Sequence, residues 1–140
     1  MNVKPALRAK LLQNTSILGA VGQRIYPSRM PQDIQFPSIV MTVISGNTEN
    51  HLTNADRLLY ATVQIDILHT SEDSAYSIAD DVRDSLDGFT GTIATTQIGY
   101  CWLNRMFDDY TPPANASDVG ICRVSLDFNV CYFIPEATHP

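Results

Sequence analysis

The sequence predicts an α+β domain, a mainly antiparallel β-sheet with helices packed on one face, and three observations carry that reading. From Leu59 to Ile67 the apolar Leu59, Ala61, Val63, Ile65 and Ile67 alternate with Tyr60, Thr62, Gln64 and Asp66, the period of two of a half-buried strand. Directly after it, Ala75, Ile78, Ala79, Val82 and Leu86 fall on one face of a helix that Thr70-Ser71-Glu72-Asp73 opens and Gly88 closes. Strand patterns then resume to the end of the chain. Runs of strands around one central helix give an α+β sheet, not a doubly wound nucleotide fold.

The elements follow in order. Pro5 suits a first helical turn, with Asn2 or a neighbour as cap, and Ala6, Leu7, Ala9, Leu11 and Leu12 have helical spacing, so residues 4–13 form a helix. Asn14 or Thr15 stops or recaps it, and Ile17, Leu18 and Val21 make a short second turn before Gly22. Residues 4–22 thus read as a helical arm. Arg24 to Pro27 is a short extended piece, followed by a proline-marked connection in which Pro37 opens a strand. That strand runs from Ser38 to about Ser45, apolar on both parities. Gly46 to Asp56 is rich in turn formers and reads as a long polar loop. The chain from Thr92 to Asp109 reads as one strand, and Asp108 to Asn115 as the loop that breaks it. In the last strand Cys122, Val124, Leu126, Phe128 and Val130 share one parity, and Arg123, Ser125, Asp127 and Asn129 form a wet opposite face. Residues 135–140 are a tail. One domain spans residues 1–140.

The composition fits one folded domain. Its 140 residues, 44% of them hydrophobic, are enough to bury a core without metal or disulfide. The N-terminus lacks the uninterrupted apolar run of a secretory signal, and no stretch approaches a membrane span. Cys101, Cys122 and Cys131 show no metal spacing and read as small buried hydrophobes in a reducing compartment.

Charge is distributed unevenly. The net charge is −6, and residues 66–87 carry all of it, with seven acids against Arg83 alone. Residues 1–32 hold five bases (Lys4, Arg8, Lys10, Arg24, Arg29) and no acid. Each run read alone is a solvated face. Read together, they predict that the basic segment of one subunit meets Asp80, Asp81 and Asp84 of the next, a heterologous contact able to close a ring. The acidic balance argues against binding nucleic acid through its phosphates.

No motif points to chemistry. Dinucleotide, phosphate-loop, zinc-protease and nucleophile-elbow patterns are absent, His51, His69 and His139 lie far apart, and Asp80-Asp81 and Asp108-Asp109 are adjacent pairs that point apart. The aromatics Tyr100, Trp102, Phe107, Tyr110, Phe128, Tyr132 and Phe133 lie in strands with only Arg105 among them, which suits core and interface rather than base stacking. No enzyme activity, metal or cofactor is expected.

The layout itself carries a resemblance. A helix at Leu7–Leu12 leads to Arg24-Ile25-Tyr26-Pro27, then to Pro31, Pro37 and a strand; later the strand element Gln64-Ile65-Asp66 precedes a helix beginning near Ser71 to Ala75. Over residues 4–88 this resembles the tail-terminator or tail-completion proteins of long-tailed bacteriophages. The resemblance implies a virion protein, made in the host cytoplasm. It would form a homo-hexameric ring that caps the tail tube, ends tail polymerisation and meets the tail-tube protein on one side and the head–tail connector or stopper on the other. DNA would pass through without specific binding, and no membrane is involved. In such a ring Asp80, Asp84, Asp87 and Asp108 are candidates for an acidic lumen that repels phosphates. Asn47, Glu49, His51 and Asp56 in one loop, and Asp108, Asp109 and Tyr110 in another, are candidates for docking on the tube or connector. A head-completion stopper or a tail-tube subunit would share these features, and a small cytosolic ligand-binding or enzymatic α+β domain is the alternative from another class.

Overall fold

The computed structural model describes residues 2–49, 56–115 and 119–135. The elements run α1 (Lys4–Leu12), α2 (Thr15–Val21), β1 (Ile25–Pro27), β2 (Ser38–Glu49), β3 (Asp56–His69), α3 (Glu72–Leu86), β4 (Gly91–Ile93), β5 (Thr96–Thr111) and β6 (Ile121–Pro135). They build one six-stranded sheet in the order β1-β2-β3-β6-β5-β4. Only β1 runs parallel to its neighbour; the other pairs are antiparallel. The three helices lie on one face, so the α+β expectation holds.

Local chemistry sets the helix ends. Asn2 Oδ1 accepts from the Lys4 N–H at 3.0 Å, and Pro5 sits in the first turn of α1. Asn14 recaps the chain, its Oδ1 accepting from the Ser16 and Ile17 N–H groups at 2.9 and 3.2 Å, while its amide donates to Ser85 Oγ of α3. Gly22 closes α2 at φ 59°, a backbone region that glycine enters without strain. Ser71 caps α3, with Glu72 and Asp73 complementing the positive end of its dipole.

The core lies between helices and sheet. The stripe Ala75, Ile78, Ala79, Val82 and Leu86 is buried as its spacing predicts, against Val63, Ile65 and Ile67 of β3 and Val124, Leu126 and Phe128 of β6. Leu7 and Leu11 of α1 and Ile17 and Val21 of α2 join the same cluster with no exposed surface. Burying each of these side chains is worth about 1.5–3 kcal/mol. Residues 4–22 are therefore integral to this domain's own core.

Three strand expectations need correction. The polar stretch after Ser45 is not all loop. β2 continues to Glu49, with Asn47 opposite Tyr60 and Glu49 opposite Leu58, and Asp56 already belongs to β3. Long-range pairing overrides the turn propensity of these residues, and a bulge between Val43 and Ser45 absorbs the register change. Of the expected docking residues there, His51 lies outside the described residues. Asp108, Asp109 and Tyr110 are also strand, because β5 runs to Thr111, paired with β6, and the break falls at Pro112-Pro113. The expected single strand from Thr92 is two strands, β4 and β5, joined at Ala94, which has φ 54°.

The polar face of β6 is wet only in part: Arg123 is exposed and Asn129 half-buried, while the middle of the strand is closed off. Ser125 and Asp127 are 1% and 2% exposed. Parity assigns a residue to a face but not to a place in the sheet, and β6 lies between β3 and β5, whose side chains shield it.

Candidate assembly surfaces

The two charged segments come to different parts of the fold. Lys4 and Arg8 of α1 and Arg24 beside β1 gather on the β1 side of the sheet, where Lys4 Nζ donates to Ser28 Oγ at 2.8 Å. Arg8 donates to the Ile25 and Gln23 carbonyls at 3.2 and 3.0 Å, and Arg24 Nε donates to the Pro37 carbonyl at 3.0 Å. Neutral carbonyls fix these guanidiniums without neutralising them, so the β1 side stays cationic. Arg29 follows β1 and is exposed. Lys10 is separate from the other four: its ammonium lies 4.6 Å from the Phe89 ring centroid, just before β4 at the opposite edge. A small cleft of about 140 Å³ lies against the cationic side, lined by Lys4, Pro5, Arg8, Ile25, Pro27 and Met41.

The acids of α3 lie elsewhere. Asp80, Asp84 and Asp87 are exposed around Arg83, and Asp81 is half-buried. Asp87 ties this surface to β5, its carboxylate accepting from the Leu103 N–H at 2.9 Å. At the other end of α3 the Tyr76 hydroxyl donates to Asp108 Oδ2 in a short hydrogen bond, which pushes the Tyr76 hydroxyl up to about 12. Asp108 and Asp109 thus extend the anionic surface along the far half of β5.

The sheet face opposite the helices has no cover among the described residues. Across its middle runs a polar row. Thr62 bonds Asn129, Gln64 and Ser125 both donate to Asp66 Oδ1, and Arg105 Nε donates to Asp127 Oδ2 at 2.6 Å. Asp127 Oδ1 is buried without a hydrogen-bond partner. Beside this row Tyr100 and Trp102 stack with centroids 4.6 Å apart and, with Ser45, Tyr60, Thr62 and Asn129, line a shallow cleft of about 190 Å³. No group of three or more His, Cys, Asp or Glu placed to hold a metal occurs among the described residues, and none of the described helices is long and apolar enough to cross a membrane.

Cys101 is fully buried, and burial pushes its thiol up to about 12, away from any nucleophile's range. Burial lowers the pKa of His69, and its Nδ1 accepts the Thr70 N–H at 2.8 Å at the turn into α3. Both read as structural groups.

The described residues present charged and open surfaces rather than an assembled chemical site. The family model described as tail completion protein gp17 matches residues 5–132. The chain belongs to the tail completion protein gp17 family. It is a structural protein of a bacteriophage-type virion, with its role in the tail or neck. A chain in the virion of a native gene transfer agent particle has a similar fold, at TM-score 0.63 and 16% identity, over 94% of this chain and 98% of that one. The comparison with curated proteins gives no match.

Sequence reasoning placed the aromatics of this tail completion protein in core and interface without dividing them. Trp102, Phe107 and Tyr110 are 57%, 38% and 57% exposed, whereas Phe128 and Tyr132 are core. The ion pair of Arg105 and Asp127 also went unforeseen; its only signal is an acid in mid-strand with an arginine in the preceding strand. The Tyr110 ring stands over Gly120, where an added Cβ would collide with the phenol.

Proposed function

We propose that six copies of this chain close into a ring that caps the tail tube, ends tail polymerisation and presents the surface on which the head–tail connector or stopper is seated. Family membership across residues 5–132 carries the reading. The charge layout supports it. The cationic β1 side (Lys4, Arg8, Arg24, Arg29) meets the anionic surface of the next subunit, drawn from Asp80, Asp81 and Asp84 on α3 and Asp108 and Asp109 on β5. Such a contact joins two different surfaces of the same chain, as a closed ring requires.

DNA passes through the ring without specific binding. Asp80, Asp84, Asp87 and Asp108 are the acids from which an anionic lumen is drawn, and like charge keeps the duplex sliding. The uncovered sheet face and the far half of β5, at Asp108, Asp109 and Tyr110, supply the surfaces for the tube and connector.

The test is a polymerisation assay with purified tail-tube protein. Rings added to growing tubes should bind one tube end and halt elongation there. Tubes that lengthen unchanged, or rings that stack into tubes of their own, would overturn the terminator role.

A further inference from the structure

Among the described residues the sheet leaves two strand stretches unpaired on their outer sides. β1 covers β2 only at Ile39–Met41. β4 covers β5 only at Thr96–Ile98, after which Gly88 and Asp87 bond Cys101 and Leu103. Among the described residues no further backbone bond reaches β2 from outside over 42–49. None reaches β5 over 104–111 except the local one from the Tyr110 N–H to the Asp109 carboxylate. Exposed large apolar side chains gather there: Val43 and Ile44 are 39% and 51% exposed on one stretch, Phe107 and Tyr110 38% and 57% on the other. Long edges of this kind template pairing with another chain.

The two stretches fit each other. Three antiparallel steps separate β2 from β5, so the strands run in opposite directions. Following the pairs across the sheet, Thr42 is level with Arg105, and Val40 with Phe107. The open half of β2 is thus at one end of the sheet and the open half of β5 at the other. We propose that β2 (42–49) of one subunit pairs antiparallel with β5 (104–111) of the next, making one continuous sheet around the ring.

Full overlap requires the next subunit to be shifted by six cross-strand rows. Six is even, so each face of the sheet continues as the same face in the neighbour. The shift is about 20 Å, at about 3.3 Å per row, over four strand spacings of about 4.8 Å, and it tilts the strands by about 45°. Closed barrels have tilts of about 35–45°. In this register Val43 stands opposite Tyr110 and Ser45 opposite Asp109. The cationic β1 side of one subunit then lies nearer Asp108 and Asp109 of its neighbour than Asp80 and Asp84.

This inference rests on the ring reading above, and its test separates the two. Ser45→Cys combined with Asp109→Cys should give, on oxidation of assembled protein, a ladder of disulfide-linked multimers. The single variants, and Ser45→Cys with Phe107→Cys two rows out of register, should give none beyond background. On the unmodified chain, amide exchange over 42–49 and 104–111 should slow by about tenfold or more in the ring relative to the dissociated chain. Intact rings with neither ladder nor protection would overturn the edge pairing and leave the ring standing. A chain that stays monomeric by mass at every concentration would overturn both.

Discussion

Arg105→Ala probes the uncovered sheet face at its most sensitive point. The Asp127 side chain is only 3% exposed, its single partner among the described residues is Arg105 Nε at 2.6 Å, and Oδ1 already lacks one. Removing one member of a fully buried ion pair costs about 3–5 kcal/mol, because the other charge stays buried and uncompensated. Here the guanidinium end is 65% exposed and screened, so most of its own solvation survives in the native state. What is lost is one charge-assisted hydrogen bond to a buried carboxylate, and about 2 kcal/mol is expected. Urea unfolding, followed by circular dichroism, should show the midpoint falling by about 1 M with an unchanged slope. Arg105→Met with Asp127→Leu should restore the midpoint to the wild-type value or above, since an apolar pair bears no desolvation cost. An Arg105→Ala protein within about 0.5 kcal/mol of wild type would show that Asp127 needs no counter-charge.

Three further outcomes follow from the same structure. Asn14→Ala removes the cap of α2 and the bond to Ser85 that ties it to α3, and should cost about 1–2 kcal/mol in denaturant unfolding; a loss of a few tenths would mean the cap is replaced by water. His69 has its folded pKa lowered from 6.5, so the folded state binds fewer protons: stability is retained above pH 6.5 and declines as pH falls below it, and His69→Gln should flatten that slope, whereas an identical slope would assign it to other groups. Reversing Asp108 and Asp109 to lysine should abolish rings, while reversing Asp80, Asp81 and Asp84 should weaken them mainly at low salt; rings indifferent to both sets would remove these acids from the subunit contact.

Elements set by local periodicity were legible in the sequence. The α3 stripe and the alternation of β3 each bury the residues their spacing selects, because one amphipathic face against one core leaves little choice. Elements set by pairing were not. Gly46 and Asn47 look like a turn, and Asp108 to Tyr110 like a strand end, yet β3 and β6 offer partners that hold them extended. The burial of Ser125 and Asp127 has the same origin, since nothing in the alternation of β6 reveals that it sits between β3 and β5.

The candidate surfaces were legible as residues and not as an arrangement. The excess of bases before Gln32 and of acids after Asp66 is plain in the sequence. That Lys10 leaves the other bases for Phe89, and that Arg8 and Arg24 are fixed by backbone carbonyls, depends on how α1 crosses the sheet. Arg105 and Asp127 lie 22 residues apart, and only strand order brings them together.

Whether the chain closes into a ring is read from the native mass of the purified protein. Light scattering over a range of protein and salt concentrations should converge on one species of six 15.5-kDa chains, about 93 kDa, that resists further growth as concentration rises. A mass that climbs without limit, or one that stays at a single chain throughout, would contradict the closed ring.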